Sequence, residues 1–220
     1  MYHHIHEGPH VHGDLRVESF TGGSFAENVY LVYVGKEALI IDPGHGAEVI
    51  EARVRALKLR ARAIVNTHAH IDHVAEALPL MDLIGSPFWL HGDEAPVLKS
   101  VPFQASMFGL STCPVPKIDR ALAHGDVLKL GGLDVQVLHT PGHTPGGCCF
   151  CLPEAGVVFV GDTLFAGSIG RSDLPGGDHD TLIASIVEHL LPLADETVAY
   201  SGHGPATTIG DERRTNPFLR

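Results

Sequence analysis

Apolar and polar positions along this chain fall into short blocks, long enough for strands and modest helices only. Residues 15–20, 28–34 and 38–41 read as strands, and Gly35-Lys36 turns the last two into a hairpin. From 47 to 58, Val49, Ile50, Val54 and Leu57 recur at helical spacing. The run 63–66 predicts a buried strand, and 74–84 a helix stopped by Gly85-Ser86-Pro87. Phe88-Trp89-Leu90-His91 is a further buried strand. Residues 92–120, with prolines at 96, 102, 114 and 116, predict a short helix and a covering loop.

The second half repeats the character of the first. A hairpin over 128–130 and 133–138 turns at Gly131-Gly132, and strands follow at 148–152 and 157–160. An amphipathic helix over 181–191 is capped by Asp178 or Asp180, and 198–200 is a last strand. Two such βα halves predict an α/β fold in which two sheets stack with helices outside, as one domain over 1–220. Residues 1–13, with His3, His4, His6, His10 and His12, are expected to be a flexible His-rich terminus.

The formal net charge of −11 argues against a nucleic-acid or anionic-membrane partner. No apolar run reaches membrane-spanning length and no charged-then-apolar leader opens the sequence, so the expected compartment is the cytoplasm. Of four cysteines, Cys148, Cys149 and Cys151 share one predicted strand. There they serve as small apolar residues, since a redox pair would open a helix.

Sixteen histidines are unevenly spread, and their chemistry decides the picture. Thr67-His68-Ala69-His70-Ile71-Asp72-His73 stands where a strand becomes a helix. Strand residues two apart point the same way, so His68 and His70 can face one ion, while the turn swings Asp72 and His73 toward a second. His143, Asp162 and His203 each follow a predicted strand and are flanked by glycine. Seven ligand-type residues in like contexts point to one rim of the sandwich. Asp72 and Asp162 would repel each other without cations. Two divalent ions with Asp162 between them relieve this and leave charge for a bridging hydroxide, a nucleophile at neutral pH. Imidazole and carboxylate suit zinc first, with iron or manganese as alternatives.

Asp42-Pro43-Gly44, His68-Ala69-His70-Ile71-Asp72-His73, His143, Asp162 and His203 together resemble the metallo-β-lactamase superfamily. The stretch from Gly161 to Asp173 and the ending from Gly202 to Phe218 are similar to its short, single-domain glyoxalase II-like branch. The resemblance implies a four-layer αββα sandwich. It implies one metal on His68, His70 and His143, another on Asp72, His73 and His203, and Asp162 bridging. It also implies hydrolysis of a thioester such as S-lactoylglutathione by the bridging hydroxide, in a monomer or homodimer acting on a small molecule. Typical glyoxalase II carries a further helical domain that supplies glutathione contacts; this sequence ends 17 residues after His203.

Two other enzyme classes share the pattern. Persulfide dioxygenases, which act on glutathione persulfide, resemble the sequence too and would hold one iron on His68, His143 and Asp162. A lactam or ester hydrolase is the other. An intact second set with His73 and His203 favours thioester hydrolysis. Asp72, Asp162 and Arg171 are the catalytic candidates, Arg171 as a contact for a substrate carboxylate or as an ion-pair partner of Asp173. Phe108 and Phe165 are candidates for an apolar pocket wall, with core packing the expectation. His91 and His139 are candidate supports of the ligands, and Asp42 is expected to orient His68 or His70, or to hold the loop, without binding metal.

Overall fold

The structure, a computed structural model, describes residues 5–111 and 113–220. In chain order it contains β1 (Ile5–His12), β2 (Leu15–Gly22), β3 (Glu27–Val34), β4 (Glu37–Ile41), α1 (Ala47–Ala56), β5 (Arg60–Val65), α2 (Ile71–Val74), α3 (Ala77–Ile84) and β6 (Phe88–His91). A 3₁₀ turn at Gly92–Glu94 leads into α4 (Ala95–Lys99), α5 (Val101–Met107) and β7 (Arg120–Leu122). Then come β8 (Val127–Leu130), β9 (Leu133–His139), β10 (Cys148–Leu152), β11 (Val157–Gly161), the small hairpin β12 (Leu164–Phe165) and β13 (Ser168–Ile169), and α6 (His179–Ser185), which runs on as a π-helical turn over Ile186–Leu190. The chain closes with β14 (Val198–Ser201), β15 (Thr207–Thr208) and α7 (Ile209–Thr215).

Strands β1 to β7 form one sheet in sequence order; β15-β14-β11-β10-β9-β8 form the other. Side-chain alternation sorts these strands into three cores. Tyr30, Val32, Leu39, Ile41 and Val65 of the first sheet meet Cys148, Phe150, Leu152, Val157 and Phe159 of the second between the sheets. The alternate residues Val29, Leu31, Ile40 and Ile64 pack outward against Ile50, Val54, Leu80 and Leu98 of the helices. Cys149, Cys151, Val158 and Val160 pack on the other side against Leu182, Ile186 and Leu190. Three cores between two sheets and two helical layers make an αββα sandwich, as expected. Each fully buried Phe or Leu in these cores contributes about 1.5–3 kcal/mol. No helix among the described residues is long and apolar enough to cross a membrane.

Several expectations are corrected. Residues 5–12, expected to be flexible, form edge strand β1 on β2; His6 stacks on Phe20 at 4.6 Å and His12 Nε2 meets the Tyr200 hydroxyl at 2.8 Å. Pro9 suits such an edge, where its missing N–H costs no ladder bond. His3 and His4 lie outside the described residues. The helix predicted over 74–84 is two helices, because Glu76 leaves helical geometry (φ −109°, ψ 12°). Its N–H donates to Pro43 O at 3.1 Å, tying the break to the loop after β4. Asp178, rather than Asp180, caps α6 by accepting from Thr181 N at 2.7 Å. Strand β7 and the β12–β13 hairpin went unseen in the sequence, being three and two residues long.

Candidate metal centre

The seven candidate ligands meet on one rim, beyond the ends of β5, β9, β11 and β14. Strand β4 runs parallel to β5, and β11 parallel to β14, so the loops that leave them open on the same side. After β5, Asn66 holds the turn by donating its side-chain amide to His68 O at 3.3 Å and His73 O at 2.7 Å. His70 is extended (φ −66°, ψ 151°) at the start of α2, and Ile71 N donates to the Gln104 side chain of α5 at 2.8 Å.

Two donor groups result. His143 Nε2 lies 3.3 Å from His68 Nε2 and 2.9 Å from His70 Nδ1. Zinc–nitrogen bonds of about 2.0–2.1 Å in a tetrahedron separate donors by roughly 3.3 Å, so these atoms surround an ion-sized point. Asp72, His73 and His203 form the second group, with His203 Nε2 3.2 Å from Asp72 Oδ2. Asp162 Oδ2 stands between the groups, 3.7 Å from His143 Nε2 and 3.6 Å from His203 Nε2. Asp162 Oδ1 and His73 Nε2 are buried, 3.3 Å apart, and misaligned for a hydrogen bond. Two buried polar atoms left unpaired this close together are costly unless a third group sits between them, and a cation fits.

The opposite nitrogens of four rings are tied down. His143 Nδ1 donates to Arg171 O at 2.6 Å, and His203 Nδ1 to Phe25 O at 3.2 Å. His73 Nδ1 donates to Asp42 Oδ2 at 3.1 Å. His68 Nδ1 donates to Thr67 Oγ1 at 3.1 Å, and that hydroxyl donates to Asp42 Oδ2 at 2.6 Å. In the neutral ring each bond selects the tautomer that bares the other nitrogen, as metal-binding imidazoles require. Asp42 thus holds His73 directly and His68 through Thr67, a wider role than the expected orientation of His68 or His70. It does so from a left-handed backbone (φ 54°), uncommon for a residue with a side chain.

Charge follows the same logic. Burial, then the neighbouring imidazoles, push His68 well below its ordinary value and His70 to about 3, so both rings are neutral at pH 7 and can bind metal. Burial opposes charge on His73, but the carboxylates of Asp162 and Asp72 outweigh it and raise that ring well above its ordinary value. Burial likewise opposes charge on Asp162, and His73 with the surrounding imidazoles holds it far below the carboxylate range.

Of the two readings of Arg171, the structure shows the ion pair with Asp173. Its guanidinium pairs with exposed Asp173 at 2.9 and 3.1 Å, while its carbonyl reaches the centre through His143. Phe108 and Phe165 lie outside the core. Phe108 is half exposed and meets Phe25 edge-on at 5.1 Å; Phe165 faces the His203 ring at 6.2 Å. His91 and His139 stack on each other and make no hydrogen bond to the seven ligands; His139 Nε2 donates instead to Pro145 O at 3.0 Å. Two buried carboxylates had no sequence signal. Glu94, wholly buried, accepts from Ala69 N and Gly146 N, each at 2.8 Å, and so joins the loop of His68 and His70 to the loop of His143. Glu27 lies under the second group, 3.9 Å from His73 Nδ1 and 3.4 Å from His45 Nε2. Beside the centre, a cleft of about 190 Å³ is lined by Phe25, Glu27, His45, Ile71, Asp72, Glu76 and Leu110.

The family described as "Metallo-beta-lactamase superfamily" matches residues 22–203. Hydroxyacylglutathione hydrolase GloC of Haemophilus influenzae is 42% identical, covering 93% of this chain and 98% of its own. A crystal structure of TTHA1623 in a di-iron-bound form is 44% identical with a TM-score of 0.82, covering 90% of this chain and 98% of that one. The crystal structure of BLEG-1 B3 metallo-β-lactamase is 40% identical with a TM-score of 0.83, covering 90% and 96%. With this donor rim, and relatives alike over nearly their whole length, the chain belongs to the metallo-β-lactamase superfamily.

Proposed function

We propose that this chain is a dinuclear metal-dependent hydrolase of thioesters, with S-acylglutathione compounds such as S-lactoylglutathione as its substrate class. The observation that carries the reading is the position of Asp162 Oδ2, 3.7 Å from one histidine group and 3.6 Å from the other. Divalent ions held by the two groups, zinc or iron, supply an acidified water and an electrophile for the carbonyl oxygen. His68, His70 and His143 hold one ion, Asp72, His73 and His203 the other, and Asp162 both. Asp42 and the carbonyl of Arg171 keep the rings in the tautomers that bind. Phe25 lines the cleft with Phe108 edge-on against it, and Phe165 stands 6.2 Å from the His203 ring, so apolar surface flanks the centre. A thiol leaves with a pKa of about 8.5, so its departure needs no dedicated acid. Asp72 and Glu76 line the cleft, with no lysine or arginine among its lining residues, which favours the ammonium end of a peptide thiol.

The relative named hydroxyacylglutathione hydrolase supports this substrate class. The intact group of Asp72, His73 and His203 speaks against a single-iron persulfide dioxygenase. The likeness to a structure named a B3 metallo-β-lactamase makes a lactam the second substrate to try. The test counts metals per chain by elemental analysis, then assays the same sample with S-lactoylglutathione, with a chromogenic β-lactam, and for oxygen uptake on glutathione persulfide. Two metals with thioester cleavage are expected. One iron with oxygen uptake, or lactam turnover exceeding thioester turnover, overturns the proposal.

A further inference from the structure

The cleft beside the metal centre has two chemically different sides. Glu76 and His45 belong to it and also to a second cleft of about 610 Å³, whose lining adds Glu48 and Asp82. Phe25, Ile71 and Leu110 line the first cleft only. An acidic path therefore leads on past Glu76, and an apolar one leads toward Phe25 and Leu110.

The end of α5 builds the apolar side. Gln104 and Phe108 stand four apart and share a helix face. Gln104 Oε1 accepts from Ile71 N at 2.8 Å, which turns that face toward the ligand stretch. Phe108 donates its N–H to Gln104 O at 3.1 Å, and its ring meets Phe25 edge-on at 5.1 Å. Gly109, left-handed at φ 64°, then ends the helix; its N–H donates to Ser106 O at 3.2 Å, and Leu110 N to Ala105 O at 2.9 Å. That reversal brings Leu110 back to the cleft wall. Phe25 is fixed from the centre itself, since its carbonyl accepts from His203 Nδ1 at 3.2 Å. Phe108 is nonetheless half exposed, so an aromatic ring held against the cleft wall keeps apolar surface for a ligand to cover.

Resting on the thioester reading, we propose that Phe25, Phe108 and Leu110 select the acyl group, and that the substrates are thioesters whose acyl group is apolar and several carbons long, taken in preference to short hydroxyacyl groups. The thiol half takes the acidic path past Glu76, where the second cleft gives a peptide room. The acyl half takes the apolar path, which does not enter that second cleft. A lactoyl group, short and hydroxylated, gains less from this wall than an alkyl chain does. Selection acts on binding and leaves the attack on the carbonyl as described above.

The test measures binding of S-methylglutathione and S-hexylglutathione by calorimetry, on the full-length protein carrying its resident metals. Turnover of lactoylglutathione and hexanoylglutathione is followed alongside. The two S-alkyl compounds differ only in the group on sulfur, and neither is a thioester. Full burial of a methylene is worth about fourfold in affinity and a half-exposed wall about twofold, so S-hexylglutathione is expected to bind about 30-fold tighter. Hexanoylglutathione is expected to exceed lactoylglutathione about 10-fold in kcat/KM. Phe108→Ala is expected to cut the binding ratio to about a third, while Phe108→Leu, which keeps apolar surface, retains most of it. Leu110→Ala reads the same wall independently. A merely structural role would lower both affinities together and leave their ratio unmoved. Equal binding of the two S-alkyl compounds, or a ratio untouched by Phe108→Ala and Leu110→Ala, overturns the proposal. Binding is read without turnover, so these results are distinct from a failure to cleave thioesters.

Discussion

Asp42 Oδ2 lies 3.1 Å from His73 Nδ1, and the same oxygen accepts from Thr67 Oγ1, so one buried carboxylate fixes two imidazoles, each belonging to a different donor group. Asp42→Asn turns one acceptor oxygen into a donor that faces other donors. The expected outcome is a 10–100-fold loss of metal affinity at both groups with the fold retained. Competition with a chromogenic chelator measures it. Wild-type affinity in the variant would remove Asp42 from the design.

Asp162→Ala is expected to lose both ions together with thioester turnover, since its carboxylate stands between the groups. Elemental analysis after dialysis reads the metal directly. A variant that keeps two ions and full turnover rules out the bridging role.

Glu94→Gln keeps one acceptor oxygen where the carboxylate serves two main-chain N–H donors, Ala69 and Gly146. An unpaired buried N–H costs about 1–3 kcal/mol, so the Tm should fall by several degrees. Affinity at His68, His70 and His143 should fall more than at Asp72, His73 and His203, because only the first group spans the two loops. Equal losses at both groups would mark Glu94 as general scaffolding.

Arg171→Ala keeps the carbonyl that holds His143 and loses only the guanidinium paired with Asp173. Metal content is expected to stay at wild-type level, and kcat to stay within about threefold, a change under 1 kcal/mol in barrier. A rise in KM for a carboxylate-bearing thioester, with none for a neutral one, would restore the substrate contact read from the sequence.

Glu18 is wholly buried and accepts from Arg53 Nε at 2.7 Å, Arg53 NH2 at 2.9 Å and the Tyr33 hydroxyl at 2.9 Å. Burial alone would raise its pKa, but the bonds from Arg53, Tyr33 and His6 more than reverse this and hold it below the usual value. A depressed carboxylate stabilises the fold above its unfolded pKa of about 4.3, and this contribution fades as pH falls through the folded value. Glu18→Gln should therefore cost about 1–3 kcal/mol at pH 7 and progressively less below pH 4. Urea denaturation at the two pH values compares them; a penalty independent of pH contradicts the charge-based account.

Much of this centre was legible from spacing alone. His68, His70, Asp72 and His73 stand close enough in sequence for strand-and-turn geometry to dictate their convergence, and His143, Asp162 and His203 each mark a strand end. The strand blocks were legible because alternate residues serve two different cores, as Val29 and Tyr30 do. The break between α2 and α3 also left a trace. Pro79 has no N–H to give, so it belongs in a first helical turn and places a helix start near Ala77. Glu94 and Glu27 left no trace. Their importance comes from main-chain donors and rings contributed by distant segments, and no local pattern records what will fold against a lone glutamate.

Gly146 shows how little room that joint leaves, for a Cβ there would fall 2.6 Å from Glu94 N and 2.9 Å from its Cγ. By contrast Phe103, Met107 and Phe108, in and just after α5, are at least half exposed, and α5 touches the ligand stretch through Gln104. Descendants of this chain can therefore remodel the lip that greets a new substrate, residue by residue, while the masonry beneath stays closed to change.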